Sequence, residues 1–305
     1  MEQGSRLGLA VSYAAISVIW GATYLAIKVG LESFEPFFYA GMRYVAALAI
    51  MFPLALVAGA SFSGPLRRWW PAFGIGALFV GVCNGMVFWA ETRLDSGFTA
   101  LLLTSGPVWT ALLTPLLPGE KRLGKLGWLG IVAGFVGTML LIEPWRAGRV
   151  EFLPSLVVEV SVVIWAATSL WVRRIRNDYH PLALTAAQMG AGAVVLLAVA
   201  AARGTPLVGP VTPRALGGLV FLVVFGSCVA FAAYFYLLRY WDATRVSTSS
   251  YVNPVVAVLL GAVVLEEKVT LMMVVGSAVV LAGVALVLRE QRRPAPLVWA
   301  EGEAP

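Results

Sequence analysis

Two tryptophans raise the first question of chemistry. Trp20 stands in VIWGATYLAIK and Trp165 in VIWAATSLWVR, nearly the same phrase 145 residues apart. Ser17, Trp20, Tyr24 and Lys28 follow i, i+3, i+7, i+11 spacing and share one helix face, and Ser161, Trp165 and Ser169 nearly repeat it. A buried indole needs an acceptor for its N–H. Both rings fall well inside apolar runs rather than at the interfaces where tryptophan belts form. The pair is therefore expected to line a cavity, one wall from each half of the chain. Plain helix packing is the alternative.

Further residues carry polar chemistry inside apolar stretches. In NGMVFWAE, Asn84, Phe88 and Glu91 fall at i, i+4, i+7 on one face. Polar groups in a bilayer are costly and turn toward the bundle or water. Gly81 and Gly85 offer another reading, a close helix contact across which Asn84 bonds. Pro107 (TSGPVW) and Pro254 (SYVNPVV) stand mid-helix and free the carbonyls of Leu103 and Ser250. Beside them lie Ser105, Ser250, Tyr251 and Asn253, so each break is either a hinge or a packing kink. Arg43 and Gln188 stand seven residues after Pro36 and Pro181. Arg43 is placed to pair with Glu91, to attract an anionic group, or to snorkel to the interface. Glu159 and Glu91 are the candidate proton carriers, and both are near enough to helix ends to be interfacial. The sole histidine, His180, precedes Pro181 and reads as structural.

The expected solute-binding set is thus Trp20, Tyr24, Asn84, Phe88, Trp165, Ser169, Tyr251 and Asn253. The expected coupling or gating set is Glu91, Glu159, Arg43, Gln188, Pro107 and Pro254. The sequence has no H-E-x-x-H, no G-x-S-x-G and one histidine, so no catalytic set, metal site or cofactor is expected.

The elements that must position these residues follow from composition. The chain has 305 residues, 60% hydrophobic and 12% charged, with a mean hydropathy of +0.85. Soluble domains are about 25% charged. Uncharged runs long enough to cross a ~30 Å hydrocarbon core recur along the chain. Breaks at charges, Pro and Gly divide it into ten helices: 7–30, 36–59, 69–91, 96–117, 124–142, 152–173, 181–202, 213–240, 244–265 and 270–289. The first run is too long for a signal-peptide core and reads as a retained helix. No alternating barrel pattern occurs. Cys83 and Cys228 lie in apolar runs and imply no disulfide. Fourteen of the 22 Lys and Arg fall on one side of such a bundle and eight on the other. The richer side is expected to be cytoplasmic, with both termini there. The net charge of +6 is spread over short loops and points to topology rather than nucleic acid.

The opening coincidence extends. Pro36 matches Pro181, and Cys83 in GVC matches Cys228 in GSC. Asp95 matches Asp242, Pro107 matches Pro254, and Glu120-Lys121 matches Glu267-Lys268. Gly130 and Gly137 match Gly276 and Gly283. All offsets fall between 145 and 147. The expected organisation is a first five-helix repeat over 1–149, a second over 150–293, and a disordered cytoplasmic tail over 294–305. Five is odd, so the second copy is inverted in the membrane, a construction many secondary transporters share. The fold class is an all-α membrane protein of ten helices in two inverted repeats. Its partners are a small-molecule solute and the lipid bilayer, with protons as candidate coupling ion and a monomer or homodimer as assembly. A channel or an intramembrane enzyme is the rival from another class.

VIWGATYLAIKVGLESFEPFFYAGMRY (18–44), GVCNGMVFWAE (81–91), VFGSCVAFAAYFYLLR (224–239) and SYVNPVVAVLLG (250–261) together resemble the drug/metabolite transporter superfamily. Within it the sequence is similar to the EamA-type exporters and their YedA-like group, over essentially all of 7–289. That resemblance implies a ten-helix inner-membrane exporter of amino acids or other small metabolites, with helices 5 and 10 peripheral. Nucleotide-sugar or lipid carriage is an alternative within the superfamily.

Overall fold

The computed structural model describes residues 5–94, 96–116, 123–142, 151–175, 178–204, 206–264 and 270–290. Ten helical segments run through them: α1 (Arg6–Leu31), α2 (Pro36–Val57), α3 (Leu66–Ala90), α4 (Phe98–Leu116), α5 (Lys125–Ile142), α6 (Phe152–Ile175), α7 (Pro181–Arg203), α8 (Pro213–Tyr240), α9 (Ser249–Val264) and α10 (Leu271–Glu290). A short helix, Ala243–Ser247, precedes α9. Among the described residues eight helices are long and apolar enough to cross a membrane, and α5 is a shorter apolar one. In place of a sheet, the described residues hold a single isolated bridge, Phe34 to Leu207. The chain is an all-α membrane protein. The landmarks Asp95, Glu120-Lys121 and Glu267-Lys268, the 143–150 loop and the 294–305 tail lie outside the described residues.

Local sequence sets where helices begin. Pro36, Pro181 and Pro213 open α2, α7 and α8, where a missing N–H costs nothing. Side-chain oxygens of Ser5, Glu35 and Thr212 cap the amides of Gly8, Phe38 and Ala215. Large apolar side chains such as Val18, Leu25, Val132 and Val274 lie exposed, on a surface that needs lipid rather than water.

The repeat reappears as reciprocal contact between α5 and α10. A Cβ on Gly130 would stand 2.6 Å from the Gly283 carbonyl, and one on Gly137 would stand 2.9 Å from the Gly276 carbonyl. Gly130 corresponds to Gly276 and Gly137 to Gly283, so each glycine touches the counterpart of the other. A pseudo-two-fold axis produces this cross pattern.

Two features depart from plain α-helices. Gly76–Val82 in α3 and Leu222–Val229 in α8 are π-helical, at corresponding places in the two halves. The Cys83 amide reaches back five residues to Leu78, and the Ala230 amide reaches Phe225. These amides therefore bypass the carbonyls of Phe79 and Gly226. Around the prolines the halves differ. A turn at Thr104–Ser105 interrupts α4 just before Pro107, which then occupies the first turn of Gly106–Leu113. Pro254 lies inside α9, and the interruption in that half falls earlier, at Thr248.

Candidate transport cavity

A cavity opens where the halves meet, leaving about 120 Å³ for the centre of a water molecule. Its wall draws on α1, α2, α3, α4, α6, α8 and α9, and on Ser247 before α9. Among the described residues, none of α5, α7 and α10 contributes. Of the expected solute-binding and coupling residues, Trp20, Tyr24, Asn84, Trp165, Asn253 and Arg43 lie on the wall.

The two tryptophans meet on its wall. Their rings pack edge to face with centroids 5.5 Å apart, and both lie against Phe231 and Tyr234. Each indole N–H is satisfied. Trp20 Nε1 donates to the Gly226 carbonyl at 3.3 Å, and Trp165 Nε1 donates to the Tyr234 hydroxyl at 3.2 Å. Lining and packing are thus combined in one pair of side chains.

The π-segments build the polar part of the wall. The bypassed Gly226 carbonyl accepts from Trp20 and from Arg43 Nη2 at 2.9 Å, while Arg43 Nε donates to Ser227 Oγ at 2.7 Å. In the other half the bypassed Phe79 carbonyl accepts from Asn84 Nδ2 at 3.2 Å. Asn84 therefore bonds within its own helix, although the close contact expected at Gly81 is present, against Gly192 and Val195 of α7. Asn253, with its amide oriented to satisfy its donors, reaches the carbonyls of Ser17 and Ser249, both at 3.0 Å.

Three expected solute contacts stand behind the wall instead. Phe88 is fully buried against Tyr39. Ser169 donates to the Trp165 carbonyl and shares a 2.6 Å bond with the Tyr234 hydroxyl, so it supports a wall residue. Tyr251 turns to α5, where its hydroxyl donates to the Ile131 carbonyl at 3.0 Å. Adjacent residues on a helix diverge by about 100°, and it is Ser250 that faces the cavity.

The coupling and gating candidates separate likewise. Glu159 accepts from Ser105 Oγ at 2.9 Å and Trp109 Nε1 at 3.1 Å, away from the cavity wall. Glu91 is fully buried, one turn beyond the wall residue Val87, and neither of its carboxyl oxygens has a hydrogen-bond partner. Gln188 is buried against the π-segment at Gly76, its amide without partners.

Sequence reasoning places Lys28 on the Trp20 face without assigning it work, and does not reach Arg173 as its mate. Lys28 Nζ donates to the carbonyls of Glu91 and Leu94 at 3.0 and 3.1 Å, joining the end of α1 to the turn after α3. Arg173 donates from Nη1 to the Trp241 carbonyl, and its Nη2 lies 3.4 Å from Asp242 Oδ1, joining the end of α6 to the turn after α8. Lys28 and Arg173 are 145 residues apart, and Leu94 and Trp241 are 147 apart. One cationic tie is repeated at the two ends of the bundle. Its sequence signal was the duplication offset already carried by the tryptophans.

A family model described as the EamA-like transporter family matches this chain twice, over residues 8–143 and 154–289. The uncharacterized inner membrane transporter YedA of Escherichia coli (strain K12) is 34% identical over 259 residues, covering 81% of this chain and 79% of the relative. An uncharacterized transporter of Archaeoglobus fulgidus is 26% identical over 275 residues, covering 89% and 95%. One solved crystal structure superposes with a TM-score of 0.78 at 24% identity, over 94% of this chain and 99% of the other; it speaks for the fold alone. The doubled match and the identity to YedA agree with the repeat seen in the helices: the chain belongs to the EamA-like transporter family.

Proposed function

We propose that the protein is a secondary transporter of the inner membrane that exports small neutral or zwitterionic organic solutes, amino acids and related metabolites among them, by alternating access. The observation that carries this reading is the pair of ties, Lys28 at one end of the bundle and Arg173 at the other, with a cavity where the halves meet. An inverted repeat gives such a cavity two states related by its pseudo-two-fold axis, with one tie released in each. The units that move are the repeats over 1–149 and 150–293, in a monomer or a homodimer. Comparing extracellular metabolite pools of cells with and without overexpression tests the reading. A specific solute is expected to accumulate outside, and unchanged pools would sink it.

Both termini are assigned to the cytoplasm. Ser63→Cys, in the exposed turn before α3, is expected to react with a membrane-impermeant thiol reagent from the inside only. Val211→Cys, before α8, is expected to react from the outside only. Cys83 and Cys228 are buried, so the background is low. The reverse pattern would invert the topology.

Proton coupling is assigned to Glu91 rather than Glu159. Glu159 is held by two donors, whereas the Glu91 carboxyl is buried without one, near Lys28 and Tyr24 of α1 and Tyr39 of α2. Glu91→Gln is expected to abolish flux driven by a pH gradient while solute exchange persists, and Glu159→Gln to leave both. Unchanged pH dependence in Glu91→Gln would leave facilitated diffusion.

A further inference from the structure

Among the described residues, Arg43 is the one charged residue on the cavity wall. Its side chain is buried, and its guanidinium is fixed on both flanks. Nε is held by Ser227 and Nη2 by the Gly226 carbonyl, with the ring of Tyr44 4.9 Å away. These partners are neutral. Among the described residues Arg43 forms no salt bridge, and Nη1 makes no hydrogen bond to the protein. The nearby acid, Glu91, sits beside Lys28, so Lys28, Arg43 and Glu91 together keep a net positive charge whichever way Glu91 is protonated. An ion desolvated beside an apolar cavity without a counter-ion is costly unless something of opposite sign arrives.

The fold itself does not require that charge. In the second half the corresponding residue is Gln188, buried and neutral, against the other π-segment. The cation belongs to one half only, and it is the half whose residue reaches the cavity. The π-segment of α8 aims it by supplying the Gly226 carbonyl. On the same wall stand the flat faces of Trp20, Trp165, Phe231 and Tyr234.

We propose that the cavity recognises its solute by a carboxylate seated on Arg43, with the apolar body of the solute against the Trp20–Trp165 pair. The carboxylate is that of a monoanion or the negative end of a zwitterion. This rests on the transport reading and changes its solute class to carboxylate-bearing molecules, monoanions as well as zwitterions, since a neutral solute lacks the contact that neutralises the cavity. Guanidinium and carboxylate match in geometry, and a hydrogen bond between charged groups in a dry site is stronger than one between neutral ones.

The test uses matched acids and amides on the purified full chain in detergent: phenylacetate against phenylacetamide, hydrocinnamate against hydrocinnamamide, and octanoate against octanamide. Binding is read by thermal shift and tryptophan fluorescence. Wild type is expected to bind at least one acid about tenfold or more tightly than its amide. Arg43→Gln, which installs the residue the other half already tolerates, is expected to lose that preference while still binding the amide. Retained amide binding shows that the variant is folded. Arg43→Lys is expected to keep part of the preference. Equal binding of acid and amide, no binding of any acid in the panel, or an unchanged preference in Arg43→Gln would each overturn the proposal. Flux through reconstituted vesicles separates the two readings. Binding of acids without flux defeats transport alone, and flux that ignores the carboxylate defeats the Arg43 assignment alone.

Discussion

Lys28→Met and Arg173→Met are expected to open the cavity toward opposite faces of the membrane. In the structure both ties are made. Lys28 holds two carbonyls at one end, and Arg173 holds the Trp241 carbonyl and the Asp242 carboxylate at the other. Hydrogen bonds from a charged donor contribute about 1.5–3 kcal/mol. Removing one tie therefore shifts a two-state equilibrium by roughly 10- to 150-fold toward the state in which that end is open. Cys83, on the wall near the middle of the bundle, is a native probe once Cys228 is replaced by Ala. Its reaction with an impermeant thiol reagent should quicken from the Lys28 side in Lys28→Met and from the Arg173 side in Arg173→Met. The double variant should gain on both sides. Equal gains from one face, or none, would reduce the ties to ordinary helix-end contacts.

The second large effect belongs to the tryptophan pair. Trp20→Ala and Trp165→Ala each remove a half-buried ring that touches three or more aromatic neighbours, Phe79 among those of Trp165. Truncating a fully buried tryptophan costs about 3–5 kcal/mol, an upper bound here, so both alanine variants should lose folded protein and solute affinity together. The phenylalanine variants separate the roles. Trp20→Phe leaves the Gly226 carbonyl to Arg43, and Trp165→Phe leaves the Tyr234 hydroxyl to Ser169, so no buried polar group is stranded. Folded yield should return near wild type. Affinity should stay reduced about two- to thirty-fold, the span of a stacking or cation–π contact of about 0.5–2 kcal/mol. Full recovery of affinity by phenylalanine would mean that any aromatic ring suffices there and that the indole is present for packing.

What the sequence determined by itself is the plan. Hydrophobic runs of membrane-spanning length, prolines at helix starts and landmarks recurring at one offset depend on local composition and order, which are legible without coordinates. Trp20 and Trp165 belonged to that layer, and so did the glycines that later proved to be the α5–α10 seam. The tertiary structure decided which faces meet. The i, i+4 rule puts Phe88 with Asn84, yet one turn along α3 the neighbour is Tyr39 rather than empty space. Tyr251 was grouped with Asn253 by nearness to Pro254, but their directions are set by α5 on one side and α1 on the other. The π-segment of α8 has no local signature, because the side chain that takes up its bypassed carbonyl comes from another helix. Arg43 does this from α2 for Gly226. The ties of Lys28 and Arg173 end mainly on backbone carbonyls more than sixty residues away. Every residue has such a carbonyl, so no pattern of side chains could mark those partners before the chain had folded.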